Sequence, residues 1–80
     1  MRLTVLVRPK AGILDPEGEA VQASLATLGF AVTSARVGRL VDLEVEAADL
    51  DAARSEVERM CAELLANPLI EGFEIVEGGQ

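Results

Sequence analysis

Few residues in this chain are of types that run reactions. It contains one cysteine, Cys61, and no histidine. The commonest general base and the commonest zinc ligand are therefore both missing. Cys61 falls on the apolar stripe of a helical pattern, which predicts a buried structural thiol rather than a nucleophile. Asp15 and Glu17 could form an acid pair, but a helix start explains both: Asp15 as the cap and Glu17 as negative charge near the positive end of the helix dipole. Asp42, Glu44 and Glu46 alternate along a strand pattern and share one face. A divalent cation wants converging ligands, so a solvated acidic face is the expected reading. Gly78-Gly79 has no helix after it and is not a phosphate loop. No catalytic, cofactor-binding or metal-binding residue emerges. Arg8, Lys10, Arg36 and Arg39 can form a small basic area, suited to solubility or to an acidic partner.

The elements that carry these residues must fit in 80 residues, a single domain over 1–80. A chain of this size buries only about 60% of the surface its unfolded form exposes. Disulfides, metals or oligomerisation usually make up the deficit. With one cysteine no internal disulfide exists, so self-association is expected. No window resembles a signal peptide or a membrane span. A lone thiol suits a reducing compartment, so a cytoplasmic protein is expected. The net charge is −7, which argues against nucleic acid as a partner. Residues 1–41 carry a net +2 and residues 42–80 a net −9.

Arg2 to Lys10 alternates as a strand, with Leu3, Val5 and Val7 on one face. Pro9 cannot donate a ladder hydrogen bond and marks its end. Asp15-Pro16-Glu17-Gly18 opens a helix over about Pro16 to Leu28, with Val21, Leu25 and Leu28 as its stripe. Gly29 closes it in the left-handed cap position. Asp49 caps a second helix, whose stripe is Leu50, Ala53, Val57, Cys61 and Leu64, widened by Met60 and Leu65. Arg54–Glu58 and, more weakly, Ser55–Arg59 are expected as pairs on its wet side. Asn67-Pro68 stops that helix. Leu69 to Glu77 gives a last strand, with Phe73 and Ile75 on one face and Glu71 at the exposed end of that face. Residues 78–80 read as a loose tail.

Between the helices, Phe30 to Glu46 keeps one phase of alternation. Ala35, Val37, Val41, Leu43 and Val45 all share a face. The order is then β-α-β-β-α-β, an α+β ferredoxin-like plan with both helices on one face of an antiparallel sheet. A two-residue turn at Gly38-Arg39 would bring Asp42 and Glu44 to the buried side. A three-residue loop would put the bulky Leu40 in a left-handed position. The expected alternative is one long strand, from about Val32 to Glu46, bent or bulged near Gly38. Fifteen residues at about 3.3 Å each would reach roughly 50 Å. Such a strand separates the two halves, so a second chain would complete each sheet in an intertwined dimer. The open sheet faces carrying Leu6 and Leu40 could pair such dimers again.

The segments VLVRPKAGILDPEGEAV, LGFAVTSARVGR and CAELLANPLIEGFEI follow in that order. Together they resemble the small PurS subunit of phosphoribosylformylglycinamidine synthase, from Arg2 to about Val76. The DPEG start and the LLANPLIE segment are the most specific parts. The resemblance implies a subunit of a purine-biosynthetic ligase complex. That complex converts formylglycinamide ribonucleotide to formylglycinamidine ribonucleotide with ATP, Mg and glutamine-derived ammonia. It implies two larger partners, a synthetase and a glutaminase, bridged by a small chain with no active site. Pro9, Lys10, Asp15, Arg36 and Arg39, polar or rigid groups at the ends of core elements, are the candidate partner contacts. Two other classes fit the plan. A small-molecule-sensing module would bind its ligand without a synthetase. An acylphosphatase-like enzyme would need an arginine and an asparagine at a phosphate cradle, which Asn67 beside Pro68 does not suit.

Overall fold

The computed structural model describes residues 1–77; the tail expected over 78–80 lies outside them. Strand β1 spans Arg2–Pro9, helix α1 Pro16–Thr27, strand β2 Arg39–Glu44 and helix α2 Leu50–Met60. A π-turn over Cys61–Leu65 extends α2, and strand β3 spans Glu71–Glu77. The sheet is antiparallel, in the order β2-β1-β3.

β1 is the central strand, and its alternation decides the core. Leu3, Val5 and Val7 are essentially fully buried. They meet Val57 and Ala53 of α2 and Cys61 at the start of the π-turn, with Val45 and Ala66 closing the cluster. Burying side chains of this size contributes about 1.5–3 kcal/mol each. The other face of the sheet is open. Thr4 Oγ1 donates to Asp42 there at 2.6 Å, and Arg2 Nε reaches Glu44 at 3.3 Å. The alternating carboxylates Asp42 and Glu44 thus lie opposite a hydroxyl and a guanidinium.

Both caps form from local chemistry. Asp15 accepts from Gly18 N, and Asp49 from Ala52 N. Gly29 takes φ +96, ending α1 as its type predicts. The end of α2 departs from expectation. The Ala66 amide donates to Cys61 O, five residues back, so the turn is one residue wider than an α-turn. The apolar phase slips, Ala66 enters the core, and Leu64 is left 83% exposed. The expected Arg54–Glu58 pair is replaced by Arg54–Glu77 at 3.0 Å, which fastens α2 to β3. Arg59 meets Glu56 at 3.6 Å rather than Ser55. β3 begins at Glu71 because Leu69 and Ile70 lie in the turn after Pro68.

The stretch between α1 and β2 does not reverse at Gly38. Its contacts descend steadily along the earlier chain. The carbonyl of Thr33 accepts from Gln22, Val37 N donates to Asp15, Arg36 reaches Lys10 and Pro9, and Arg39 lies opposite Val7. The paired strand is limited to Arg39–Glu44, and residues 32–38 have no ladder partner among the described residues. α2 lies on the sheet of its own chain. α1, by contrast, buries only Gly18 and leaves Val21, Leu28 and Phe30 exposed. The molecule measures 50 × 28 × 14 Å, with a radius of gyration of 15.6 Å. A compact chain of this length would have about 12 Å. The excess is α1 and its returning segment, held away from the sheet as an arm.

Candidate functional site

The five candidate contacts converge on one end of the sheet, where β1 ends and α1 begins. Arg36 Nη2 donates to Lys10 O at 2.7 Å and to Pro9 O. Lys10 Nζ donates to Pro68 O at 2.6 Å. The two carboxylate oxygens of Asp15 divide their work: Oδ1 accepts from Gly18 N at 3.1 Å and Oδ2 from Val37 N at 2.9 Å. One side chain thus caps α1 and pins the arm's returning segment to it. The Val37 amide, then the Gly18 amide, hold the Asp15 carboxyl below its usual range.

Arg39 is the hub of the second half. Its Nη1 and Nη2 donate to Glu71 Oε2 and Oε1 at 2.8 and 2.9 Å. Nη2 also donates to Leu65 O, at the end of the π-turn. Glu71 Oε1 accepts from Asn67 N at 2.8 Å. The side chain expected at an exposed strand end is therefore only 15% exposed and bidentate to an arginine. The Arg39 hydrogen bond, then the Asn67 amide, lower the Glu71 carboxyl. The same bond raises Arg39. Sequence reasoning missed Glu71 and Asn67. Their signal was the Asn67-Pro68 turn, in which Asn67 Oδ1 accepts from Leu69 N.

Both carboxyls are lowered, so the stability they confer is present above their unfolded pKa values. It is lost as pH falls through the folded ones. Thermal unfolding of the native chain should show Tm falling below the usual carboxylate range. In Asp15→Asn and Glu71→Gln the fall should be smaller. An identical acid profile in all three proteins would rule out these two groups as its source.

None of these groups forms a nucleophile–base pair. Cys61 lies under the sheet, its thiol pushed up by burial and by Glu58. Among the described residues no cluster suited to a metal ion exists. The polar side chains tie β1, α1, the arm and the α2–β3 turn into one rigid end, while α1 keeps an uncovered apolar stripe. A rigid polar end beside an uncovered apolar stripe is a build that presents surfaces to other chains.

The comparisons give that class a family. The family model described as "PurS: Phosphoribosylformylglycinamidine (FGAM) synthase" matches residues 2–77, and the chain belongs to that family. The PurS subunit of Methanocaldococcus jannaschii is 39% identical over 75 residues, covering 92% of this chain and 90% of that one. The Synechocystis PurS subunit is 41% identical over 73 residues, covering 90% of this chain and 71% of the relative. The solved PurS subunit of Thermotoga maritima superposes with a TM-score of 0.87 at 33% identity, covering 94% of this chain and 87% of that one. A chain in the T. maritima PurLQS structure gives 0.87 at 33% identity, covering 94% of this chain and 93% of that one.

Proposed function

We propose that this chain is the small non-catalytic subunit of FGAM synthase, and that it bridges the synthetase and glutaminase subunits. The observation that carries this is the match over nearly its whole length to a chain of the PurLQS structure. The complex would convert formylglycinamide ribonucleotide to formylglycinamidine ribonucleotide with ATP and glutamine. ATP and Mg would be held by the larger subunits, and the work would take place in the cytoplasm. Glutamine-dependent turnover should appear only when all three proteins are mixed. Full glutamine-dependent turnover by the two larger proteins alone would overturn the bridging role. Ammonia-dependent turnover is no test, because it bypasses ammonia delivery.

We propose further that two copies exchange arms. The unladdered segment 32–38 and the exposed Val21, Leu28 and Phe30 need cover that the described residues of one chain do not supply. A stripe of this size left in water costs solubility and stability. Sedimentation at micromolar concentration should show a dimer or a larger even assembly; a monomer would overturn the exchange. Pro9, Lys10, Asp15, Arg36 and Arg39 are the proposed partner-facing end. Arg39 is held in an ion pair with Glu71, whereas Lys10 and Arg36 donate to backbone carbonyls and have no acidic partner among the described residues, so Lys10 and Arg36 are the members to reverse in binding tests.

A further inference from the structure

The arm is built from two kinds of contact that face different ways. Its polar contacts close within its own chain. Asp15 takes the Gly18 amide on one carboxylate oxygen and the Val37 amide on the other, so one side chain shuts the base of everything between them. Gly18 is the buried residue of α1, and a Cβ there would overlap the Ala35 carbonyl and the Asp15 carboxylate. The first turn of α1 therefore lies directly on the returning segment. About one turn further along, Gln22 Nε2 donates to Thr33 O at 3.0 Å and to Val32 O at 3.3 Å. At the tip, the Phe30 amide donates to Leu25 O at 3.0 Å. Arg36 ties the base to the carbonyls of Pro9 and Lys10. The apolar groups do the reverse: Val21, Leu28 and Phe30 face solvent.

The strand edges identify what the arm meets. β2 is an edge strand, and its outer edge has no partner among the described residues. It also runs straight on from the unladdered segment 32–38. Each chain thus offers one strand segment and lacks one. A second copy related by a two-fold axis satisfies both needs at once, because each copy supplies what the other lacks. A different chain would have to offer both a free segment and an open edge of matching length.

We infer that the clip at Asp15, aided by Gln22, makes the arm a pre-formed hook, so that two copies join by docking finished arms rather than by folding them on one another. This rests on the arm exchange proposed above. Asp15 and Gln22 act as positioning residues: they hold α1 against its own returning segment before the partner arrives. The entropy of ordering the arm is then lost during folding of the single chain and not at association. Loosening the clip leaves the arm competent only part of the time. Kd rises by the inverse of that fraction, and the loss falls on the association rate. An arm that formed on its partner would behave differently. Contacts missing from the assembled state would speed dissociation, which is where most interface changes act.

The test compares self-association of the native chain, Asp15→Ser and Gln22→Ala. Serine keeps a cap oxygen for the Gly18 amide and leaves none for Val37, which separates the clip from the cap. Gln22 caps no helix, so its variant reports on the arm alone. Sedimentation equilibrium gives Kd. Exchange between copies carrying a donor or an acceptor dye at the C-terminus gives the dissociation rate, and the two together give the association rate. Asp15→Ser should raise Kd about tenfold and Gln22→Ala about threefold, with dissociation rates within about twofold of native. A native Kd in both variants, or a loss carried by the dissociation rate, would overturn the hook and leave arm exchange standing. A native chain that stays monomeric would overturn arm exchange, and the hook with it.

Discussion

Gly38→Ala is expected to destabilise the chain by about 3 kcal/mol, the upper part of the usual range for overpacking. The added Cβ would overlap the Val7 carbonyl oxygen, a backbone atom rather than the tip of a flexible side chain. β1 cannot retreat, because it is laddered to β2 on one side and β3 on the other. A domain of this size has a total stability of about 4–12 kcal/mol, so the loss is a large share of it. Gly72→Ala is the internal control, since its Cβ meets nothing within 4 Å. Urea unfolding at one fixed protein concentration measures both, because self-association makes stability concentration-dependent. If Gly38→Ala falls within about 0.5 kcal/mol of the native chain, the close approach to β1 of the segment leading into β2 is not as described.

Leu3→Ala should cost about 2–5 kcal/mol. Leu3 is at 0% exposure on the central strand, against the core side of α2. Removing its branched end leaves a cavity whose walls are a β-ladder and a helix, neither free to collapse. Leu64→Ala removes the same atoms from a side chain the π-turn holds in solvent, and should stay within about 0.5 kcal/mol. Equal losses in the two variants would mean that Leu64 is part of the core and that the helix keeps its α phase through residue 64.

The parts legible in the sequence were those set by near neighbours. Asp15 and Asp49 each cap a helix through an amide three residues on. The alternation of β1 named Leu3, Val5 and Val7 as core because a period of two admits one reading once one face is buried. The path through Gly38 was also legible, by elimination: Leu40 is too bulky for the loop that would have kept the phase. The rest depended on distant partners. Glu71 looked exposed because its partner, Arg39, lies 32 residues earlier. Leu64 looked buried because helical spacing was carried through a turn with an extra residue, and no residue type announces a π-turn. The five candidate contacts were chosen as ends of elements. Their convergence follows from β1, α1 and the arm meeting at one end of the sheet.

The sheet order also sets a timetable for synthesis. β1 is made before either of its neighbours, yet it needs both. β2 follows after about forty residues, but Leu3 waits for Glu77, made 74 residues later. At about 5–20 residues per second, that is an interval of roughly 4–15 s. During it β1, which carries Leu3, Val5 and Val7, has the hydrogen-bonding edge that β3 will pair left open. A nascent chain halted between α2 and β3 would expose that edge to any other strand, including one from a neighbouring copy. The interval before β3 emerges is therefore when this fold is most exposed to mispairing.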